Sequence, residues 1–156
     1  DVLDAGSNSN NVVHGSAGLT LAKALTVYEA FGEGDVPDDG QRYFVVSPAG
    51  WADLLQIDQF SRAEYIGEKE LPYAGGMTAK RWLGFLWFSF SGLSISSTTR
   101  DCHAWHRSSV GLAMGSDIRT EVNYIPEKVS NLITSYMSMG AVMIDNEGAI
   151  ECQITE

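Results

Sequence analysis

Several residue types that mark particular protein classes are scarce in this sequence. It contains two cysteines, four prolines and three histidines. Cys102 and Cys152 stand at no spacing typical of metal ligands, so we expect reduced thiols rather than a zinc module or a disulfide framework. No run of about 18 apolar residues occurs, so the sequence predicts no transmembrane helix and no membrane partner. Its polar, acidic first residues predict no signal peptide.

Basic residues are also few, since 10 lysines and arginines face 20 acidic residues and give a net charge of −10. Such a chain repels phosphate, so we predict that it does not bind nucleic acid in a sequence-specific way. The acids are concentrated in residues 1–40 and 121–156, whereas residues 81–120 carry four bases and two acids. This asymmetry fits either pairing between subunits or plain solubility. We expect the isolated chain to be a monomer or a weak ring-former that associates more at high ionic strength.

The first third of the sequence predicts a loop followed by a helix. Residues 1–19 are rich in turn formers and predict a flexible linker or loop. Thr20 then predicts the N-cap of a helix that ends near Phe31, before Gly32 and Gly34. The apolar face of this helix is predicted to contain Leu21, Ala24, Leu25, Tyr28 and Phe31.

A short strand and a second helix are predicted next. Residues 42–46 are β-rich, and Ser47 and Pro48 are typical of an N-cap and a first helical position. The helix that they begin is expected to end near Ile57, and residues 58–76 are expected to be irregular. The aromatic run from Lys80 to Ser91 predicts one strand buried on both faces, with a bulge or close packing at Gly84.

The remaining sequence predicts one more helix and three strands. We expect a helix over residues 103–114, a strand over 118–125 and a long strand over 129–144 that bends at Gly140. After a turn at residues 146–148, residues 149–154 are expected to pair back on that strand as a hairpin arm. Together the elements predict an α+β fold with a mixed or antiparallel sheet and flanking helices.

One local cluster contains metal-ligand residue types: Asp101, Cys102, His103 and His106. On a helix, His106 would lie one turn from His103. A metal site needs three or four convergent ligands, and this spacing matches no zinc pattern. The sequence therefore predicts no metal, and we expect ordinary packed or surface polar residues.

Catalytic motifs are missing as well. Ser108 and Ser109 stand near His106, but no Gly-x-Ser-x-Gly elbow is present, and the glycines of residues 15–18 and 111–115 do not form a phosphate-binding loop. We therefore predict no catalytic residue, no cofactor-binding residue and no enzyme activity. The aromatic run could stack on a base or a sugar, but core packing is the better interpretation. It predicts that Phe85 and at least two of Leu83, Trp87 and Phe88 are mostly buried.

The order of the elements resembles a known family. The segments that carry the resemblance are residues 42–48, 54–55, 82–85, 89–93, 103–106, 110–113, 140–144 and 150–152. In this order they are similar to the C-terminal portion of tailed-phage major capsid proteins with the Hong Kong 97-like fold. The resemblance covers roughly residues 20–154, and each motif taken alone is weak. The N-terminal arm, extended loop and spine helix of that family have no counterpart here.

The resemblance implies a domain organisation and a role. Residues 20–125 would form most of the axial domain, and residues 126–156 the return strands of the peripheral domain. The protein would be a structural subunit of an icosahedral shell that encloses viral DNA, and the family offers no catalytic centre to carry over. Its partners would be other copies of itself in pentamers and hexamers, with portal, scaffold or decoration proteins. It would be located in the virion and, before assembly, in the host bacterial cytoplasm.

Two alternatives remain open at this point. An encapsulin-like cellular compartment has a similar fold and would also be a self-assembling shell. A small-ligand binding domain or an enzyme would use the aromatic run or the histidine cluster instead.

Overall fold

The computed structural model of the chain describes residue 3, residues 10–61 and residues 79–156. The chain divides into two units. The compact unit consists of residues 1–110 and 143–156, and the hairpin unit consists of residues 111–142. None of the described helices is long and apolar enough to cross a membrane.

Three helices and nine strands make up the described elements. The helices are α1 (Leu21–Glu33), α2 (Pro48–Gln56) and α3 (Asp58–Ser61). The strands are β1 (Asn11–Val12), β2 (Arg42–Val46), β3 (Ala79–Trp82), β4 (Phe85–Ser89), β5 (Ile95–Ser96), β6 (Thr99–His106), β7 (Val110–Ile125), β8 (Ser130–Met143) and β9 (Ala149–Thr155). Single 3₁₀ turns at Arg107–Ser109 and Pro126–Lys128 precede β7 and β8.

A mixed sheet organises the compact unit. Its strand order is β1-β9-β6-β2-β4-β3, and β5 pairs with β6 outside this path. The β1–β9 and β2–β4 pairs are parallel, and the other pairs are antiparallel. The predicted α+β class with a mixed sheet is confirmed. β1 lies within the segment that the sequence predicted to be a loop.

Helix α1 begins where the sequence predicts. The Thr20 side chain accepts a hydrogen bond from the backbone N–H of Lys23, which caps the first turn. The predicted buried face was partly wrong, because Leu25 and Tyr28 are 45% and 42% exposed. The face that packs on the sheet follows the spacing Ala24, Val27, Phe31. The helix thus has two apolar stripes. The sheet contacts the stripe of Ala24, Val27 and Phe31, and the stripe that contains Leu25 and Tyr28 is exposed.

Helix α2 confirms the predicted cap. The Ser47 side chain accepts from the backbone N–H of Gly50, and Pro48 occupies the first turn. Leu54 is fully buried, while Trp51 packs edge-on against Phe60 of α3 at a ring distance of 5.6 Å. α3 was not predicted. Residues 62–78, which include most of the predicted irregular stretch, lie outside the described residues.

The aromatic run forms a hairpin rather than one strand. Leu83 and Gly84 both have positive φ, at 50° and 76°, so they form a tight turn between β3 and β4. Gly84 supports the turn instead of a bulge. Phe85 and Trp87 are 1% and 0% exposed, but Leu83 and Phe88 are half-buried, so burial alternates along β4. The prediction of a strand buried on both faces was wrong.

The predicted helix over residues 103–114 does not form. These residues belong to β6, the first 3₁₀ turn and the start of β7. The predicted strands at 118–125 and 129–144 are present as parts of β7 and β8, which pair with each other. Residues 149–154 form a strand, but the predicted partner was wrong. β9 pairs with β6 and β1 rather than with β8.

Candidate functional site

The four residues of metal-ligand type are divided between the two faces of a strand. Cys102 and His106 project to one face of β6, and Asp101 and His103 project to the other, because successive side chains of a strand alternate. In the described part of the chain, no three His, Cys, Asp or Glu side chains converge on a common point. Among the described residues, these four side chains therefore do not form one common site.

The ring of His106 is bonded on both of its nitrogens. Nε2 lies 3.1 Å from Oδ1 of Asp39, and Nδ1 lies 2.7 Å from Oγ of Ser108. The backbone N–H of Ser108 also donates to Nδ1 over 3.3 Å. Nδ1 therefore carries the lone pair, and Nε2 carries the proton that it donates to the carboxylate. This hydrogen bond from His106 is the largest of the contributions that lower the pKa of Asp39.

Serine, histidine and aspartate in this order have the composition of a hydrolytic triad. Here Nδ1 of His106 instead caps the 3₁₀ turn that follows β6, since it accepts the Ser108 backbone N–H. The backbone N–H of His106 donates to the carbonyl of Gly148 over 2.8 Å. The cluster thus joins the loop before β2, the end of β6 and the start of β9, which is a structural role.

Two substitutions of His106 separate its two contacts. In His106→Asn the side-chain oxygen takes the position of Nδ1 and keeps the cap. In His106→Gln the amide nitrogen takes the position of Nε2 and keeps the bond to Asp39. Each variant is expected to lower the free energy of unfolding, because each loses one contact of the His106 ring, and His106→Asn should lose less, since Asp39 is exposed to water.

The pH dependence of unfolding distinguishes these variants. The folded-state pKa of Asp39 is below its ordinary value of about 3.9. Its contribution to stability is therefore fully present above that value and lost as the pH falls through the lowered pKa. His106→Gln should keep this acid dependence, and His106→Asn should weaken it, as should Asp39→Asn. Equal acid dependence in all variants, measured by urea unfolding from about pH 6 to about pH 3, would contradict the assigned ring contacts.

The two cysteines lie opposite each other in the sheet. Cys102 of β6 and Cys152 of β9 are partners in the antiparallel register, and both are fully buried free thiols. Burial raises the pKa of each thiol to about 12. Because the thiolate is the reactive form, both side chains act as small core residues in the native fold.

Three basic side chains donate hydrogen bonds to backbone carbonyls of the protein itself. These hydrogen bonds were not predicted from the sequence. Lys23 Nζ donates to the carbonyls of Ala17, Gly18 and Gln153 over 2.7, 2.9 and 3.1 Å, which covers part of the outer edge of β9. Burial lowers the pKa of Lys23. The other two are Arg42 and Lys80, which are 4% and 3% exposed.

Arg42 is held between two loop carbonyls and two aromatic rings. Its guanidinium donates to the carbonyls of Val36 and Pro37. It also lies 5.5 Å and 5.9 Å from the ring centres of Phe31 and Phe85. Lys80 Nζ similarly donates to a carbonyl, and Arg100 pairs with Glu156 at 3.0 Å. Of the four bases in residues 81–120, Arg100 is thus paired with an acid of the same chain.

The aromatic run contributes to both faces of the sheet. On the helix side, Phe44 stacks on Trp87 at 4.0 Å, within the hydrophobic core. On the opposite side, Trp105 stacks on Tyr43 at 5.8 Å and meets Phe88 edge-on at 6.0 Å. A groove of about 370 Å³ on that side is lined by Leu3, Val45, Phe88, Phe90, Leu93, His103, Trp105 and Val110. The predicted core is present, and a half-exposed aromatic surface lies on the other face.

The hairpin unit has two chemically different faces. Oγ1 of Thr120 lies 3.0 Å from Oγ of Ser135, so even positions of β7 share a face with odd positions of β8. The hydroxyl of Tyr136 donates to Glu121 over 3.0 Å on the opposite face. We call the first the apolar face; its large side chains are Leu112, Met114, Ile118, Val122, Tyr124, Ile133, Met137 and Met139. We call the second the polar face; it carries Asp117, Arg119, Glu121, Asn123 and Thr134, with Leu132 and Tyr136.

The apolar face is exposed along its length. The exposed fractions of its eight large side chains run from 53% for Met137 and Met139 to 70% for Met114. The alternation of apolar and polar residues from 112 to 124 could have been recognised in the sequence as a strand signal. A contiguous exposed apolar surface of this kind marks an interaction site in most proteins.

Comparisons with known proteins give one family and a shared fold. The phage capsid protein family matches residues 3–156. No curated protein matches the chain. Three similar solved structures are those of Mycobacterium phage Che8, of the capsid of cyanophage P-SCSP1u and of the capsid of an empty GTA particle. Their TM-scores are 0.72, 0.66 and 0.68, with sequence identities of 17%, 18% and 14%.

These likenesses cover nearly all of this chain and about half of each relative. They include 93%, 91% and 94% of this chain, but 53%, 48% and 50% of the respective solved chains. At these identities the structures show a shared fold. Since the family match extends over nearly the whole sequence and the fold agrees with it, the chain belongs to the phage capsid protein family.

Proposed function

We propose that this chain is the C-terminal part of a major capsid protein that assembles with copies of itself into an icosahedral phage shell around viral DNA. The family match over residues 3–156 carries this proposal. The fold shared with the solved capsid chains supports it. The compartment-shell alternative receives no better support from these likenesses.

The internal chemistry of the compact unit agrees with a structural role. Lys23 donates to backbone carbonyls, Arg42 occupies a core position, and His106 caps a turn. The two thiols are buried and protonated. These polar and ionisable groups thus stabilise the fold. The large features that remain are two surfaces: the aromatic groove and the apolar face of the hairpin.

The same proposal includes the arrangement of the subunit and its partners. Residues 20–125 would form most of an axial domain around a five- or six-fold centre, and residues 126–156 would return to a peripheral domain. Portal, scaffold or decoration proteins would bind the finished or growing shell. The protein would be located in the virion after assembly in the host bacterial cytoplasm.

Expression of the complete reading frame that encodes this chain tests the proposal. We expect closed particles of uniform size in negative-stain electron micrographs. In a phage infection these particles should contain nuclease-protected DNA. Uniform small oligomers without particles would contradict a shell function, and closed particles that enclose proteins instead of DNA would favour the compartment alternative.

A further inference from the structure

The loop before β2 contains the one Asp-Gly pair of the sequence, Asp39-Gly40. Glycine has no Cβ, so the carboxyl of the preceding aspartate can approach its backbone nitrogen more closely than that of any other residue. The Asp39 side chain is 41% exposed, and Gly40 has a φ of 75°. The pair therefore lies in a turn that water reaches, where this carboxyl can react with the main chain.

The reaction available to such a pair is isomerisation through a succinimide ring. The backbone nitrogen of Gly40 bonds to Cγ of Asp39, and the proton of that nitrogen leaves with the carboxyl hydroxyl as water. Water then adds to one of the two ring carbonyls. Opening at the main-chain carbonyl gives isoaspartate, in which the chain runs through the side chain and contains an additional carbon. Nothing is oxidised or reduced, and water is the only co-reactant.

Hydrogen bonds hold the Asp39 carboxylate in the form that does not react. Oδ1 accepts from the backbone N–H of Gln41 over 2.9 Å and from Nε2 of His106 over 3.1 Å. Oδ2 accepts from the side-chain amide of Gln41 over 3.0 Å. Donors of this kind favour the ionised carboxylate, whereas ring closure needs the protonated carboxyl, which can lose its oxygen as water. The His106 ring is buried and bonded to Ser108 through Nδ1, so it is held in place against Asp39.

We propose that Asp39 is the residue at which this protein isomerises, and that the hydrogen bond from His106 slows the reaction in the folded state. The change would act on the start of β2. The same loop supplies two carbonyls to the buried Arg42, and the carbonyl of Gln41 accepts from the backbone N–H of Arg107 over 3.1 Å. An additional carbon in the chain between these contacts displaces one set relative to the other. This inference is independent of the shell function.

Peptide mapping of the complete protein that contains this chain tests the proposal. The folded protein is incubated at one fixed pH and digested with trypsin, and the peptide of residues 24–42 is analysed by mass spectrometry with electron-transfer fragmentation. Isoaspartate should accumulate at Asp39 and not at Asp35 or Asp38 of the same peptide. His106→Asn, which loses the contact with Asp39, should accelerate the reaction at least about twofold. His106→Gln, which keeps this contact, should react at the rate of the parent protein.

A second variant and an unfolded reference make the test independent of the folding of His106→Asn. Gln41→Leu removes the donor to Oδ2 of Asp39 and should also raise the rate. The parent protein unfolded in guanidinium chloride gives the rate without these hydrogen bonds, and the folded parent should isomerise more slowly. Circular dichroism must show the same strand content in each folded variant and in the parent.

Two kinds of result would overturn the proposal. Isoaspartate at Asp35 or Asp38 instead, or none at Asp39 even in the unfolded protein, would refute the site. Equal rates in His106→Asn and His106→Gln, or equal rates in the folded and unfolded parent, would refute the restraint by the fold. Electron microscopy of the same protein tests the shell function separately, so failure of one proposal is distinguishable from failure of the other.

Discussion

Phe85→Ala is expected to lower the free energy of unfolding by about 3–5 kcal/mol. The Phe85 ring is 1% exposed and meets the rings of Phe31, Phe44 and Trp87 at 5.1, 5.9 and 6.3 Å. It joins α1, β2 and β4, so the cavity left by its removal has rigid walls on three sides. The loss includes the transfer free energy of the ring and the cost of that cavity.

Phe90→Ala is the matched control for this substitution. Phe90 is the same residue type five positions along the chain, but it is 55% exposed. Its removal should change the free energy of unfolding by less than about 0.5–1 kcal/mol. Urea unfolding followed by tryptophan fluorescence measures both variants. A loss below about 1 kcal/mol for Phe85→Ala would show that the aromatic run is a surface platform and not the core.

Arg42→Met is also expected to destabilise the fold, by about 2–4 kcal/mol, because two backbone carbonyls lose their donor. Arg42 is 4% exposed, and its substitution leaves the carbonyls of Val36 and Pro37 without their donor. Methionine fills much of the same volume, so the measured loss reports mainly on the unpaired carbonyls and the lost contact with the Phe31 ring.

Arg81→Met is the control, because Arg81 is exposed and donates to the carbonyl of Gly40 at the surface. It should change stability by less than about 0.5 kcal/mol. Arg42→Met and Phe85→Ala should not be additive in the double variant, since the guanidinium lies 5.9 Å from the Phe85 ring. Equal small losses for the two arginine variants, or strict additivity, would contradict a structural cation in the core.

Local signals in the sequence were sufficient for several elements. Thr20 and the pair Ser47-Pro48 mark helix starts because their caps involve residues three positions away. Strand β2 was predicted because Tyr43 to Val46 favour extended structure and are bounded by turn formers. For the two helix starts, the determining contacts lie within a few residues, so the sequence contains the whole signal.

Errors arose where long-range pairing decides the structure. Ala104, Val110 and Ala113 suit a helix face, but Ala104 lies in a strand whose partners are residues 44 and 150. β9 was assigned to its nearest neighbour in sequence, although its register with β6 joins residues about 50 positions apart. Sequence spacing carries no information on such partners.

The candidate site was even less predictable. The contact between His106 and Asp39 spans 67 positions, and the carbonyls that bind Arg42 come from a loop whose path depends on α1. The apolar face of the hairpin is different, because its alternation is visible in residues 112–124. Only its second half was predicted, as the strand over residues 118–125, because residues 103–114 were assigned to a helix.

A cryo-electron microscopy reconstruction of particles from the complete protein tests the central claim most directly. The account predicts a closed icosahedral shell in which each subunit contains a sheet of order β1-β9-β6-β2-β4-β3. In that map, the axial domain proposed for residues 20–125 should surround the five- and six-fold centres. A two-fold dimer or another small oligomer as the complete assembly would contradict the claim that this chain is part of a capsid subunit.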